Sequence, residues 1–187
     1  MTAATHLKQD TDCIIFGTEK TNETAEQLKK FGNIKKIYLA ENSAFKGLLS
    51  ETVAPVLLDL QKKNKYTHII GGSSTFVKGV LPRVAALLDV QPISDITKVI
   101  DNDKFTRFIY AGNAILTLKS NDPVKIISVR GTAFEAAKEG AGGDIKIEKL
   151  GSLDALVKYD KSEFIARQVQ QSERPELTSA RIVRILE

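Results

Sequence analysis

Four residues that follow an apolar run, Gly71-Gly72-Ser73-Ser74, carry the plainest chemistry in the sequence. The run before them, Tyr66 to Ile70, reads as a strand; Val77, Val80, Leu81, Val84 and Leu88 after them mark one face of a helix. A glycine-rich turn between a buried strand and a helix offers backbone N–H groups and the positive end of the helix dipole to a phosphate. Ligands of open α/β sheets sit at such strand C-termini. The spacing is neither a Walker motif nor GxGxxG, and neither Lys78 nor the serine pair repairs it. The alternative is a tight turn in which Ser73 or Ser74 caps the helix.

Other candidates are sparser. Thr132-Ala133-Phe134-Glu135 has the spacing of a capping box after a strand ending at Arg130-Gly131. As an anion site it would use Arg130. Asp95 is a carboxylate near strand ends, with no His or second acid placed to work with it. His68 falls within a strand and reads as a hydrogen-bonded core or edge residue rather than a base. Cys13, in an apolar strand, reads as a small buried hydrophobe rather than a low-pKa nucleophile. One cysteine and two histidines, His6 and His68, argue against a disulfide framework and against a Cys- or His-rich metal centre. A hydrolase built on Ser73 or Ser74 lacks a GxSxG elbow and an evident His/Asp pair. The residues alone support no self-contained enzyme. A stand-alone nucleotide-binding α/β domain, taking AMP or ATP at Gly71 to Ser74, is the reading that uses the turn.

The elements that must position these residues follow from patterning. Asp12 to Gly17 is a short apolar run ended by glycine, as in a strand buried on both faces. Thr21 to Phe31 is helical, with Gly32 at a C-cap position, and Ile34 to Ala40 gives a second strand. Ser50 is placed as N-cap of a helix whose Val53, Val56, Leu57 and Leu60 form one apolar stripe. Pro82 predicts a kink in the helix after the serine pair, or a new helix starting there. Three strand–helix alternations imply parallel strands joined by right-handed crossovers. Beyond them, Ile93 to Ile100, Phe105 to Tyr110, Ala114 to Lys119 and Val124 to Arg130 are separated only by turns, which predicts antiparallel neighbours. The expected fold is α/β, a three-layer, mostly parallel mixed sheet whose later strands are antiparallel. Ile145 to Ile147 and Glu163 to Ala166 alternate weakly, Ser172 to Glu176 reads as a linker, and Ala180 to Leu186 begins a new strand-like run.

Composition narrows the classes. The chain has 187 residues, of which 42% are hydrophobic and only 6% aromatic, with no tryptophan. That size suits one domain with a core of Ile, Val, Leu and Ala. No apolar run approaches the ~20 residues of a membrane helix, so no membrane insertion is expected. The net charge of +4 is spread over scattered lysine pairs such as Lys29-Lys30, Lys35-Lys36 and Lys62-Lys63, so no nucleic acid is expected as partner. The N-terminus shows neither a signal-peptide core nor an Arg-rich presequence.

Five strings occur in order after Tyr66-Thr67-His68 and the Gly/Ser turn, six with the turn counted: Leu81-Pro82-Arg83-Val84-Ala85-Ala86, Pro92-Ile93-Ser94-Asp95-Ile96, Ile109-Tyr110-Ala111-Gly112-Asn113-Ala114, Ser128-Val129-Arg130-Gly131-Thr132 and Arg174-Pro175-Glu176-Leu177-Thr178. Together they resemble the N-terminal domain of the electron transfer flavoprotein alpha subunit, the mitochondrial type especially, over nearly the whole chain. The resemblance implies an adenine nucleotide alpha hydrolase-like domain over 1–171, followed at 172–187 by a linker and the start of an FAD-binding domain. It implies an electron carrier rather than an enzyme: a heterodimer with a beta subunit, located in the mitochondrial matrix. That heterodimer takes electrons from acyl-CoA dehydrogenases of fatty acid beta-oxidation and passes them to electron transfer flavoprotein-ubiquinone oxidoreductase. FAD is implied for the full heterodimer and none for this chain alone, because the family's flavin contacts lie past Thr178-Ser179-Ala180-Arg181-Ile182-Val183. The family also has a first strand and most of a first helix before the segment that looks like Thr2 to Thr5. Neighbouring strands are therefore expected to lack a backbone partner, at ~1–3 kcal/mol per orphaned group, unless a partner or a rearranged strand fills the place. The chain reads as a piece of a longer subunit.

Overall fold

The computed structural model describes residues 1–140 and 145–150, together with the strand backbone of 181–186. Among these residues, four helices and nine strands are formed. They are α1 (Thr2–His6), β1 (Thr11–Gly17), α2 (Thr21–Leu28), β2 (Ile34–Glu41), α3 (Ser50–Asn64), β3 (His68–Gly72), α4 (Thr75–Leu87), β4 (Pro92–Val99), β5 (Lys104–Ile109), β6 (Ala114–Lys119), β7 (Lys125–Val129), β8 (Lys146–Lys149) and β9 (Arg181–Leu186). One sheet holds all nine strands in the order β6-β5-β4-β7-β3-β9-β1-β2-β8.

The period-two alternation of side chains divides the core into two faces. Ile14 and Phe16 of β1, Ile69 of β3 and Ile126 of β7 pack with the apolar stripes of α3 and α4. Their neighbours face the other way: Cys13 and Ile15 pack with Ala25 and Leu28 of α2, and Ile70 and Ile127 with Ala3, Ala4 and Leu7. The result is the three-layer α/β class expected. Phe16 meets Phe45 edge-on, with ring centroids 5.5 Å apart, on the α3 side. At the start of β1 a polar network is enclosed in the core. The Tyr66 hydroxyl donates to Asp12 Oδ2 at 2.8 Å, and Asn64 Nδ2 donates to the hydroxyls of Tyr66 and Tyr38 at 3.0 and 3.2 Å. Burial, the largest cause, raises the Tyr66 phenol above its ordinary range, so it stays a neutral donor.

Several expectations need correction. β7 does not pair antiparallel with β6; it runs parallel to both β4 and β3. The β5–β6 hairpin carries the chain out to the sheet edge and back, replacing a crossover helix between the parallel strands β4 and β7. No capping box forms at Thr132: Gly131–Ala133 is a single 3-10 turn without a side-chain cap, and the backbone at Phe134 is extended. That segment instead crosses α1, where Thr2 Oγ1 donates to the Glu135 carbonyl at 2.6 Å. The N-cap of α3 is Leu49, with Ser50 the first helical residue. α2 ends at Leu28, before Phe31 and Gly32. α4 runs through Pro82 as one helix. Pro82 is solvent-exposed, so water can satisfy the carbonyl that its missing N–H leaves free.

β9 lies between β1 and β3, antiparallel to both. Its register sets Arg184 opposite Cys13 on one side and Ile70 on the other. The place where neighbouring strands were expected to lack a partner thus has a strand in it, delivered from the far end of the sequence. Glu163 to Ala166 and Ser172 to Glu176 fall outside the described residues.

Candidate functional site

The Gly71–Ser74 turn leaves the C-terminal end of β3 and enters α4. Gly71 is required there by packing: a Cβ on it would lie 2.8 Å from Val77 Cγ1 and 3.4 Å from Leu81 Cδ1, so only glycine lets α4 approach β3 this closely. Gly72 is open, with nothing within 4 Å of its would-be Cβ. The turn's donors are turned inward. Ser73 N–H donates to the Val129 carbonyl at 2.8 Å, and Ser74 N–H to the Gly72 carbonyl at 2.6 Å. Ser74 is the N-cap of α4, its hydroxyl accepting from Val77 N–H at 3.3 Å. A phosphate cradle needs those N–H groups pointing outward. This turn uses them to fasten β3, β7 and α4 together.

Beside the turn, the structure joins two residues that are 35 apart in sequence. Arg130 Nε donates to Asp95 Oδ2 at 2.9 Å, and a second guanidinium nitrogen also reaches that oxygen. Asp95 sits where the β4–β7 register shifts between Ile93 and Ile96, with a left-handed φ of 59°. Asp tolerates that conformation better than most residues. Its N–H, out of the ladder, donates to Ser128 Oγ at 2.8 Å. The Arg130 hydrogen bonds hold the Asp95 carboxyl below the usual carboxylate range, and the Ser73 hydroxyl and the Lys78 charge push the same way. The Arg130 guanidinium also lies over the Phe108 ring, 5.6 Å from its centroid. Arg130 is therefore an ion-pair partner, with its charge already answered, rather than a free anion receptor. Sequence patterning gave no signal for this pair, because nothing local links the end of β7 to a bulge in β4. A cleft of about 350 Å³ opens next to it, lined by Val77, Leu81, Pro92, Ile93, Asp95 and Ser128 among others.

The remaining candidates are structural. Cys13 is fully buried in β1. His68 is buried in β3 with both ring nitrogens engaged: Nε2 donates to the Asn102 carbonyl at 2.7 Å, and Nδ1 lies 2.8 Å from Thr67 Oγ1. Burial pushes its pKa below the ordinary value, which keeps the ring neutral. The residue ties β3 to the β4–β5 turn, as a hydrogen-bonded core histidine does. Among the described residues no group of three His, Cys, Asp or Glu could hold a metal ion, and no helix is long and apolar enough to cross a membrane.

With the geometry in view, comparison with known proteins decides the family. The family model described as the electron transfer flavoprotein domain matches residues 1–154. The chain belongs to the electron transfer flavoprotein domain family. It is 44% identical over 183 residues to the probable mitochondrial electron transfer flavoprotein subunit alpha of Caenorhabditis elegans, covering 98% of this chain and 54% of that relative. It is 41% identical to the alpha subunit of Pseudomonas aeruginosa, covering 97% and 56%, and 36% identical to the mitochondrial alpha subunit of Dictyostelium discoideum, covering 98% and 54%. The chain spans about half the length of the curated relatives it matches. The resemblance read from the ordered strings is thereby shown, and electron transfer flavoprotein relatives are by name electron carriers.

The flavin of that name carries a diphosphate, which needs outward-pointing backbone donors. The glycine-rich turn has its Ser73 and Ser74 backbone donors bonded within the protein and its Gly71 space closed by Val77. These residues do not fit the diphosphate of a dinucleotide, and none of them is assigned to FAD.

Proposed function

We propose that this chain is the scaffold and partner-docking domain of an electron transfer flavoprotein alpha subunit, an electron carrier and not an enzyme. With a beta subunit, the full protein would carry electrons on FAD from acyl-CoA dehydrogenases to a membrane quinone oxidoreductase, in the mitochondrial matrix. The observation that carries the reading is the match to alpha subunits over nearly the whole chain, joined to a fold in which Asp95, Arg130, His68 and Ser74 are committed to structure. Asp95 answers Arg130, His68 bridges two elements, and Ser74 caps a helix. FAD would then be held by parts of the subunit other than this turn.

The purified chain should be colourless. A flavin spectrum at one equivalent per chain overturns the reading. The rival, a stand-alone nucleotide-binding domain using Gly71 to Ser74, predicts micromolar heat of binding for AMP or ATP that disappears in Gly72→Val. Because the space around Gly72 is open, that substitution reports on a ligand rather than on packing.

A further inference from the structure

The cleft between α4 and β4 arises from one irregularity in the sheet. β4 leaves the β7 register between Ile93 and Ile96. Both isoleucines belong to the core cluster of Ala3, Ala4 and Leu7, on the α1 side of the sheet. The alternate positions Pro92 and Ser94 therefore face α4. These compact side chains leave a gap to Val77 and Leu81, with Ile126 of β7 beside it. The space measures about 350 Å³, within the roughly 300–1,000 Å³ of small-molecule sites.

The polar groups of this cleft favour one sign of charge. Lys78 lies on the α4 wall, solvent-exposed, and among the described residues its ammonium has no hydrogen bond and no ion pair. Ser128 lines the sheet wall and is buried. Its hydroxyl oxygen accepts from Asp95 N–H at 2.8 Å, which leaves the hydroxyl proton to be donated. Asp95 brings a negative charge, but two nitrogens of Arg130 already answer it. One cation is left in excess. Apolar walls with one uncommitted ammonium and one available hydroxyl donor suit an anion that has an apolar body. Inorganic phosphate would leave the apolar walls unused, and a neutral hydrocarbon would leave Lys78 unpaired.

We propose that this cleft binds a small organic acid with an aromatic or branched aliphatic body. The carboxylate meets the Lys78 ammonium and the Ser128 hydroxyl, and the body lies among Val77, Leu81, Pro92 and Ile126. The site is distinct from the Gly71–Ser74 turn, where the Ser73 and Ser74 N–H groups are bonded inward, and it does not depend on the alpha-subunit reading. An ion pair beside apolar walls is less screened than one in open water, so the charge adds selectivity to the fit.

The test is titration of the ¹⁵N-labelled full chain with 3-phenylpropionate and with 4-methylpentanoate, read from backbone amide shifts. At least one acid should give saturable shifts at Lys78, Ser94 and Ser128, with Kd of about 1 mM or tighter. Its uncharged amide, and the acid against Lys78→Gln, should each bind about fivefold more weakly, while Lys78→Arg restores binding to within about twofold. Ser94→Phe places a ring in the cleft from the β4 side and should abolish binding. Lys78 and Ser94 are both exposed, so the variants should melt with wild type. No saturable shift with either acid overturns the proposal. So do equal affinities for acid and amide, undiminished binding to a folded Ser94→Phe, or shifts confined to Gly71–Ser74.

Discussion

β1 and β6 are strands of similar length and similar apolar content in one sheet, yet all seven residues of β1 are buried and none of the six in β6 is. The difference is position. β1 has a strand on each side, α2 over one face and α3 and α4 over the other, whereas among the described residues β6 has one neighbour, β5, and lies at the edge of the sheet. The parallel part of the sheet is where apolar area leaves water on folding; the hairpin keeps comparable area in water. Burial stabilises by roughly 25 cal/mol per Å², so the first region holds the fold and the second contributes little to it. A mutational series along this contrast should change stability strongly at one end and little at the other.

The largest effect is expected at Phe16. Its ring is fully buried and meets Phe45 edge-on, so Phe16→Ala loses both transfer energy and an aromatic contact and leaves a cavity. Such truncations cost about 3–5 kcal/mol, a large share of a stability of about 5–15 kcal/mol. Urea unfolding reads it directly. A loss below about 1 kcal/mol would mean that β1 is not an anchor of the core.

What the sequence made legible divides along the same line. β1, β2, β3 and the stripes of α3 and α4 were readable because each is a local pattern: a short apolar run between turns, or apolar residues at i, i+3, i+4 and i+7. The Ser74 cap was readable for the same reason, as it needs only four consecutive residues. The return of β7 between β4 and β3 was not, because the absence of a crossover helix looks the same whether the next strand pairs with its predecessor or passes around a hairpin. Nor was the insertion of Arg181–Leu186 between β1 and β3, a pairing across more than half the chain. Asp95 and Arg130 meet only once β4 bulges at Ile93–Ile96 and β7 lies alongside it. Thr132 to Glu135 failed in the opposite way: the local spacing was right, but the chain was drawn into contact with α1 before a helix could start.

Next in size is a pair of adjacent glycines. In Gly71→Ala the new methyl lies 2.8 Å from Val77 Cγ1, within a close approach of α4 to β3. Overpacking of that kind costs about 1–3 kcal/mol. Gly72→Ala should be near neutral, since the position is open and its φ is not left-handed. Equal losses at the two positions in thermal unfolding would show that the turn, and not the helix packing, is what needs glycine.

A smaller effect follows from His68 and shows itself through pH. A carbonyl only accepts, so the contact to Asn102 places the ring proton on Nε2 and leaves Nδ1 unprotonated, 2.8 Å from Thr67 Oγ1. Burial lowers the folded-state pKa below the ordinary value near 6.5. On acidification the unfolded chain therefore takes up this proton before the folded one does. The contribution is fully present above about pH 6.5 and is lost progressively as pH falls from there toward the folded value. His68→Gln should flatten the stability profile in that window. An unchanged profile would place the proton uptake at other groups.

The smallest change in stability is expected at Ile115. Ile115 is 69% exposed on an edge strand, so Ile115→Ser removes little buried area and should shift unfolding by no more than about 0.5 kcal/mol. Replacing an apolar residue on such an edge also removes a reason to self-associate, so solubility should rise rather than fall. If the variant instead unfolds the chain, Ile115 is inside a packed interface already and the contrast between β1 and β6 disappears. If it melts with wild type, the edge strand carries little of the fold's stability and the contrast with β1 holds.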